Sequence, residues 1–408
     1  MNCRHCSARL GLELIDLGSS PPSNAYLSAE MLLAPEKTFP LQVMVCEQCW
    51  LAQTLDFADA HELFSADYAY FSSFSTTWLQ HAERYVGEMT ERFRLDGNSH
   101  VVEVASNDGY LLQYVQSRGI PCLGIEPTAS TARAARGKGI ETLEMFFGAA
   151  VGAQLAAKGR QADLMVANNV LAHVPDINDL LAGFAGLLKP QGVATFEFPH
   201  LLRLLAENQF DTIYHEHFSY LSLVAVERIF ARNGLAVFDV EELPTHGGSL
   251  RVFAQRADGG RHPATGRVGA LLKRETDAAL NTARAYRGFQ SRAEKVKDDF
   301  LLFLIEAKRS GKRVAAYGAA AKGNTLLNFS GIRRDLISYV ADRNPAKQNR
   351  FLPGTRIPVV SDEALYRDQP DYVVVLPWNL KSEVMQQLRV AGLGATRFVT
   401  AVPRLEVA

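Results

Sequence analysis

The sequence predicts an α/β protein made of an N-terminal zinc-binding domain and two doubly wound α/β domains. Four of the five cysteines fall in two pairs, and two later stretches alternate short apolar strands with helical segments. At 408 residues the chain is also longer than one compact core usually supports. We place the three units at residues 1–75, 76–260 and 261–408.

The N-terminal cysteines have the spacing of a tetrahedral zinc site. Cys3 and Cys6 form one C-x-x-C pair and Cys46 and Cys49 form another, so four thiolates can converge on one ion. A complete set of thiolates leaves no open position for a substrate, which predicts one structural Zn²⁺. Free or redox-active thiols are the alternative. His5 lies inside the first pair and is expected not to be a ligand.

Periodicity predicts the elements of the two α/β units. A long amphipathic helix around residues 78–93 precedes the strands VVEVAS, CLGIEP, ADLMVANN and GVATFEFP. The polar span at residues 268–309 predicts one or two long helices between the units. The strands RVAAYGA, ISYVAD, YVVVLP and RFVTAV then predict a second sheet.

Composition narrows the choice of partners. The formal net charge is −1, with 43 basic and 44 acidic residues, so electrostatics gives no reason to expect binding to nucleic acid or to an anionic membrane. The chain has no run of about 18 apolar residues, and its first residues, MNCRHCSARL, are polar, which predicts neither a transmembrane helix nor a signal peptide. We therefore expect a cytoplasmic protein that binds small molecules.

The segment VVEVASNDGYLL has the features of a nucleotide-binding turn. Glu103 is expected to end a strand, and Gly109 precedes a helix. Glu126 ends the next strand, where a carboxylate can accept hydrogen bonds from both ribose hydroxyls. This segment resembles the first motif of class I S-adenosylmethionine (SAM) methyltransferases, although Ala105 and Asn107 stand where that motif commonly has glycine.

A second segment, DLMVANNVLAHVPD, is similar to the fourth strand of the same methyltransferases, whose loop faces the methyl donor. The expected cofactor-binding residues are Glu103, Ser106, Asn107, Gly109, Glu126, Pro127, Asn168 and Asn169. Solvated carboxylates are the alternative for the two glutamates. A dehydrogenase would share the order of strands and helices, but the dinucleotide fingerprint G-x-G-x-x-G is missing.

The last unit contains a candidate anion site of another kind. In RVAAYGAAAKGNT, small residues and Lys322 lie between a strand and a helix. A helix N-terminus and a lysine both attract anions, so a phosphate-bearing ligand is expected, with tight packing of strand against helix as the alternative. Together with SAM in the middle unit, this site predicts a nucleotide-linked substrate.

Proton-transferring side chains are concentrated in the stretch YHEHFSYLS, which we expect to form a loop near the carboxyl edge of the middle sheet. A histidine with a pKa of about 6.5 is a competent base near neutrality. Metal binding is disfavoured because His-x-His lacks the i, i+4 spacing of a helical zinc pair. A hydrogen-bonded structural loop is the remaining alternative.

Over essentially its whole length the sequence resembles the SAM-dependent sugar C-methyltransferases of deoxysugar biosynthesis. The motifs that carry the resemblance are DYAYFSSFSTTW, EVASNDGYLL, DTIYHEHFSYLS, HGGSLR and YGAAAKGNT. The resemblance implies a zinc-binding domain, a central Rossmann-like SAM methyltransferase domain and a C-terminal Rossmann-like domain for the sugar nucleotide. It also implies a monomeric enzyme that methylates a nucleotide-linked 4-keto-6-deoxysugar, most often at C3 of a dTDP-sugar.

The resemblance implies roles for individual residues. His217 is the base at the ring carbon, and Tyr214 and Glu216 line its pocket. The expected catalytic residues are His217, Tyr214, Glu216, Tyr68, Tyr70 and His173. The expected substrate-binding residues are Lys322, Gly323, Asn324, Asp342 and His246. Tyr68, with Tyr70 as its alternate, would hold the sugar, whereas His215 alternates away from His217 and is expected to support the loop.

Several alternatives remain open for these residues and for the function. His173 can be a structural histidine, and Tyr68 a buried structural tyrosine. The other functions are methylation at C5 of the same substrate class, methylation of a sugar hydroxyl, and a non-catalytic adaptor that binds zinc and a nucleotide. Methylation of a hydroxyl needs no carbon acid, whereas a C–H bond beside a ketone must lose its proton to form an enolate.

Overall fold

The computed structural model describes residues 1–55, 57 and 71–408. In this part of the chain the strands form three sheets, of four, seven and six strands. None of the helices described combines the length and the apolar character that crossing a membrane requires.

The N-terminal sheet is antiparallel and crosses the predicted boundary between the first two units. Its strands are β1 (Leu12–Ser20), β2 (Phe39–Val45), β3 (Ala52–Thr54) and β9 (Ser219–Tyr220). Strand β9 lies within the histidine-rich stretch of the middle unit and pairs Tyr220 with Ala52 of β3. The expected place of that stretch is a loop near the carboxyl edge of the middle sheet, and its pairing with the N-terminal sheet has no signal in the sequence.

The middle unit has a sheet of order β10-β11-β8-β7-β4-β5-β6. Its strands are β4 (Val101–Val104), β5 (Cys122–Ile125), β6 (Thr142–Leu143), β7 (Ala162–Asn168), β8 (Leu188–Pro199), β10 (Leu235–Leu243) and β11 (Ser249–Arg256). Strands β4 to β8 are parallel, as predicted, and β10 and β11 are antiparallel. From β4 the strand order continues to one side through β5 and β6 and to the other side through β7 and β8, so the topological switch point lies between β4 and β7. Doubly wound folds bind their ligands at the switch point.

The helices of the middle unit include the predicted amphipathic helix. They are α1 (Thr76–Phe93), α2 (Leu112–Gln116), α3 (Ala129–Gly137), α4 (Ala149–Ala157), α5 (Ile177–Leu187), α6 (Leu201–Ala206) and α7 (Leu223–Arg232). Ser222 caps α7 by accepting a hydrogen bond from the Ala225 N–H, as predicted. Because Ser222 is also the last residue of the histidine-rich stretch, this cap fixes the end of that stretch.

The C-terminal unit contains the third sheet, of order β14-β13-β12-β15-β16-β17. Its strands are β12 (Val314–Tyr317), β13 (Val340–Ala341), β14 (Val359–Val360), β15 (Tyr372–Val375), β16 (Arg397–Thr400) and β17 (Glu406–Val407). The span between the sheets forms two long helices, and the helices of this unit are α8 (Gly266–Asp277), α9 (Phe289–Arg309), α10 (Ala321–Phe329), α11 (Glu363–Asp368) and α12 (Lys381–Val390).

The three units share buried apolar contacts. Val43 of β2, Phe210 before the histidine-rich stretch, Phe300 of α9 and Val340 of β13 belong to one buried cluster. The histidine-rich stretch is therefore enclosed by all three units, because the segments on either side of it are packed in this shared core.

Candidate active site

The four N-terminal cysteines converge as predicted. Their Sγ atoms all lie within 4.8 Å of one another, and the Cys3–Cys49 and Cys6–Cys46 pairs are 3.5 and 3.4 Å apart. Four thiolates at such spacings suit tetrahedral Zn²⁺ and fill its coordination sphere. His5 is not a member of this cluster, because its Nδ1 lies 2.8 Å from Asn178 Oδ1.

The zinc-binding region holds the histidine-rich stretch through β3. The Thr54 hydroxyl donates to the His217 carbonyl oxygen over 3.1 Å, and the Thr54 N–H donates to the Phe218 carbonyl oxygen over 3.2 Å. His215 Nε2 lies 3.2 Å from the carbonyl oxygens of both Phe39 and Pro40 at the start of β2. His215 thus ties the stretch to the N-terminal sheet, consistent with its expected supporting role.

The turn after β4 has the backbone conformation of a glycine-rich motif even where glycine is absent. Ala105, Asn107 and Gly109 have φ values of 53°, 50° and 76°. Gly109 is required there, because a Cβ atom would lie 2.4 Å from Ile140 Cδ1. Asparagine tolerates this left-handed conformation, whereas alanine adopts it at a cost.

Two buried glutamates flank this turn, as expected from the sequence. Glu126 Oε2 accepts a hydrogen bond of 2.9 Å from the Asn107 N–H, and Oε1 accepts from the Thr128 N–H and the Thr131 hydroxyl. Pro127 follows it and is half-buried. Glu103 lies one residue before the end of β4, and burial raises the pKa of its carboxyl group well above 4.5.

Several polar atoms around the switch point are buried without a partner. They are Ser106 Oγ, both side-chain polar atoms of Asn168, and Asn169 Oδ1, none of which has a hydrogen-bond partner in the described part of the chain. Asn169 also has a φ of 56°. A buried polar group without a partner is costly, so such a cluster at the carboxyl ends of β4 and β7 suits a polar ligand. The residues present therefore fit a bound SAM molecule.

His217 is held in one tautomer. Its Nδ1 lies 2.8 Å from the Thr212 carbonyl oxygen, which can only accept, so Nδ1 carries the proton. Burial lowers the pKa of His217 well below 6.5, and the neighbouring His173 lowers it further. The imidazole is therefore neutral near pH 7, and Nε2 is the nitrogen that can accept a proton.

Other rings of the expected site surround His217. The ring centroids of Tyr214 and His173 lie 3.9 and 4.5 Å from the centroid of His217. Burial lowers the pKa of His173 to about 4, and burial together with the charge of Lys322 lowers the pKa of His246 to about 4. His246 adopts a φ of 56° within the HGGSLR segment. These histidines are consequently neutral as well.

Glu216 points to the N-terminal unit. Its Oε2 accepts a hydrogen bond of 2.7 Å from Asn24 Nδ2. Burial raises the pKa of Glu216 to about 7, although the hydrogen bonds from Asn24 oppose this rise. The side chain is only 2 % exposed. Near neutral pH Glu216 can thus be either a neutral acid or a carboxylate.

Lys322 reaches the same cleft from the C-terminal unit. Its Nζ donates to Asn379 Oδ1 over 2.7 Å and lies 4.7 Å from the centroid of the Trp378 ring. The Trp378 indole N–H donates to Asp211 Oδ2 over 2.7 Å. Burial lowers the pKa of Lys322 and raises that of Asp211 to about 6. The charge of Lys322 also lowers the pKa values of His217 and His246.

The other residues expected to bind substrate have structural contacts. Gly323 allows α10 to approach Leu376, because a Cβ atom there would lie 2.7 Å from the Leu376 Cβ. Asn324 is 1 % exposed and donates to the Ser23 carbonyl oxygen. Asp342 accepts hydrogen bonds from the backbone N–H groups of Ala319 and Asn344. Packing of strand against helix, the alternative considered for this segment, thus accounts for Gly323.

Some site residues were not identified from the sequence, and two others cannot be placed. Tyr68 and Tyr70 lie outside the described residues. Asn24 and Trp378 were missed because neither belongs to a recognisable pattern. Asp211 is the first residue of the motif DTIYHEHFSYLS, and an acidic residue at that position was a usable signal.

Each of the three parts of the chain matches a family of known proteins. Residues 3–64 match the model of a zinc binding domain, residues 78–240 that of a methyltransferase domain, and residues 244–403 that of a C-methyltransferase C-terminal domain. The C-methyltransferase NovU of Streptomyces niveus is 35 % identical over 405 residues, which are 99 % of this chain and 96 % of that protein.

Solved structures resemble part of the chain. The magnesium protoporphyrin IX methyltransferase of Synechocystis PCC 6803 with bound SAM is 16 % identical, with a TM-score of 0.34 over 44 % of this chain and 79 % of its own. The PH0226 protein of Pyrococcus horikoshii OT3 is 13 % identical, with a TM-score of 0.37 over 49 % of this chain and all of its own.

Proposed function

Because the chain belongs to the SAM-dependent C-methyltransferase family, we propose that it methylates a ring carbon beside the keto group of a nucleotide-linked 4-keto-6-deoxysugar, at C3 of a dTDP-sugar. In this proposal residues 1–75 hold the structural zinc, residues 76–260 hold SAM and residues 261–408 hold the sugar nucleotide. The observation that carries it is the imidazole of His217, fixed as a neutral base beside both ligand-binding units.

His217 removes the proton of the ring carbon. The Thr212 carbonyl oxygen keeps the proton of the imidazole on Nδ1, so Nε2 has a free electron pair to accept the C–H proton. The electrons of that bond delocalise onto the keto oxygen as an enolate. SAM, held by the residues around the turn after β4, would supply an electrophilic methyl group for the enolate carbon, and the electrons of its broken S–C bond would remain on sulfur.

The oxyanion needs hydrogen-bond donors, because negative charge in a buried cleft is costly without them. In the histidine-rich stretch, a neutral Glu216 and the Tyr214 hydroxyl are groups that can supply them, and Tyr68 or Tyr70 would add a further donor. His173 and His246, both neutral, line the same cleft. These side chains stabilise the enolate rather than the ground state.

The two ligands occupy opposite sides of His217 in this proposal. On the SAM side, Glu126 and the orphaned polar atoms of Asn168 and Ser106 contact the cofactor. On the other side, Lys322 provides a cation for the diphosphate of the substrate. We also propose a monomer, because one chain supplies the whole cleft, and a cytoplasmic location, since free thiolates for zinc persist in a reducing compartment.

Turnover of a panel of nucleotide-linked 4-keto-6-deoxysugars with SAM tests the proposal. The expected product has a new methyl group at C3, located by NMR. A methyl group at C5 or on oxygen would contradict the C3 assignment, and no turnover with any member of the panel would contradict the substrate class.

Hydrogen exchange separates proton removal from methyl transfer. In deuterated water with S-adenosylhomocysteine in place of SAM, the wild type should incorporate deuterium beside the ketone. His217→Asn retains a donor for the Thr212 carbonyl oxygen but lacks the base, so it should lose both exchange and methylation while still binding both ligands. His262→Gln, at a ring stacked on Phe238 away from the cleft, is the matched control. Near-normal methylation by His217→Asn would place the base elsewhere.

A further inference from the structure

A segment between β1 and β2 enters the active site from the N-terminal unit. Its position is fixed by contacts with the C-terminal unit on both sides of Asn24. The Tyr26 hydroxyl donates to the Ala319 carbonyl oxygen over 2.5 Å, and Leu27 pairs with Phe351 as an isolated bridge. The Ser23 carbonyl oxygen accepts from Asn324 Nδ2. Asn24 is thus held in place independently of the residue that it contacts in the cleft.

That residue is Glu216. Asn24 Nδ2 donates to Glu216 Oε2 over 2.7 Å. An amide N–H can only donate, so Oε2 must act as the acceptor oxygen. A carbonyl oxygen is a better acceptor than a hydroxyl oxygen, so this contact favours the neutral form of Glu216 that carries its proton on Oε1. The contact distinguishes the two oxygens of a side chain that is otherwise symmetrical.

We propose that Asn24 is a positioning residue that keeps the neutral form of Glu216 with its proton on Oε1, as the donor to the enolate oxygen of the substrate. This proposal rests on the proposed function, because it needs an oxyanion to be stabilised. It gives the N-terminal unit a part in the chemistry beyond holding zinc. The same residue adjusts the pH range over which the acid is available, since its hydrogen bonds favour the carboxylate.

The pH profile of kcat is the first test. Wild-type activity should fall as pH rises through about 7, the pKa of Glu216. Asn24→Ala removes a hydrogen bond to the carboxylate, so the alkaline limb of the profile, where kcat falls, should move up by about one pH unit. The plateau value of kcat should fall about tenfold. Asn24→Asp places a second carboxylate beside Glu216, so its limb should move further up. Asn98→Ala, at an exposed turn, is the matched control and should leave the limb unchanged.

The second test needs no substrate. Infrared difference spectra between the wild type and Glu216→Gln isolate the neutral carboxyl band of Glu216, whose titration midpoint should rise in Asn24→Ala. If Asn24→Ala folds poorly, Asn24→Ser, which retains a donor, should give an intermediate midpoint. A purely structural role would lower thermal stability and leave both the band and the limb in place, which would overturn the proposal. If the band moves but no 4-keto sugar is methylated, the proposed function fails and the positioning contact stands.

Discussion

The buried carboxyl group of Glu216 should make the stability of the protein depend on pH. Burial raises its pKa from an ordinary 4.5 to about 7 in the folded chain. Between these values the folded chain keeps a proton that the unfolded chain has released. The free energy of unfolding therefore decreases as pH rises through this interval, and this contribution is fully present only below pH 4.5.

The size of this effect follows from the interval. A difference of about 2.5 pH units corresponds to about 3 kcal/mol. Glu216→Gln has no proton to lose, so its free energy of unfolding should not include this decrease. Relative to the variant, the wild type should lose about 3 kcal/mol between pH 4.5 and pH 8. Effects of pH on zinc binding are common to both proteins and cancel in the difference.

Urea unfolding followed by tryptophan fluorescence, at intervals from pH 4.5 to pH 8.5, measures this difference. Glu91→Gln, at an exposed position of α1, is the control and should track the wild type at every pH. A constant difference between wild type and Glu216→Gln across the range would refute the reasoning. It would mean that Glu216 is ionised at low pH despite its burial, and a neutral Glu216 could then not serve as the acid.

Three further changes test other parts of the structure. Cys49→Ser should lose most of the bound zinc by metal analysis and lower the thermal midpoint, because it removes one of four ligands. Thr54→Val should lower the free energy of unfolding by about 1–3 kcal/mol in urea and should lower kcat, because the buried His217 carbonyl oxygen loses its donor. An unchanged kcat would mean that the N-terminal sheet does not position His217 for catalysis. Ala105→Gly should stabilise the fold by about 0.5–1 kcal/mol in the same assay, because its φ of 53° strains alanine; a loss of stability would contradict that strain.

The cofactor turn shows what local sequence can predict. The strand before it is short and apolar, and Gly109 marks the turn, so both were identified correctly. Ala105 and Asn107 weakened the match to a glycine-rich motif, yet both adopt the left-handed conformation that such a motif requires. The motif is thus defined by its backbone conformation, and a search for glycines alone misses positions that adopt this conformation with another residue.

The contacts that complete the site could not be predicted from local patterns. Asn24 and Glu216 lie 192 positions apart, and the segment around Asn24 has neither periodicity nor a motif. The pairing of β3 with β9 also could not be predicted, because β9 is only two residues long and so short a strand has no recognisable periodicity. Such contacts depend on how the three units pack together, and that packing is decided by the shared core.

The electrostatics of the cleft bears on the proposed formation of a carbon nucleophile. Burial lowers the pKa values of His217, His173 and Lys322, and it raises those of Glu216 and Asp211. Every one of these shifts favours a neutral form, as expected where water is largely excluded. In such an environment the interaction between opposite charges is strong. In the proposed reaction, methyl transfer from a sulfonium to an enolate would cancel two charges, so a poorly solvated cleft would favour that step. The preceding proton removal would create charge and would need the donors around Glu216.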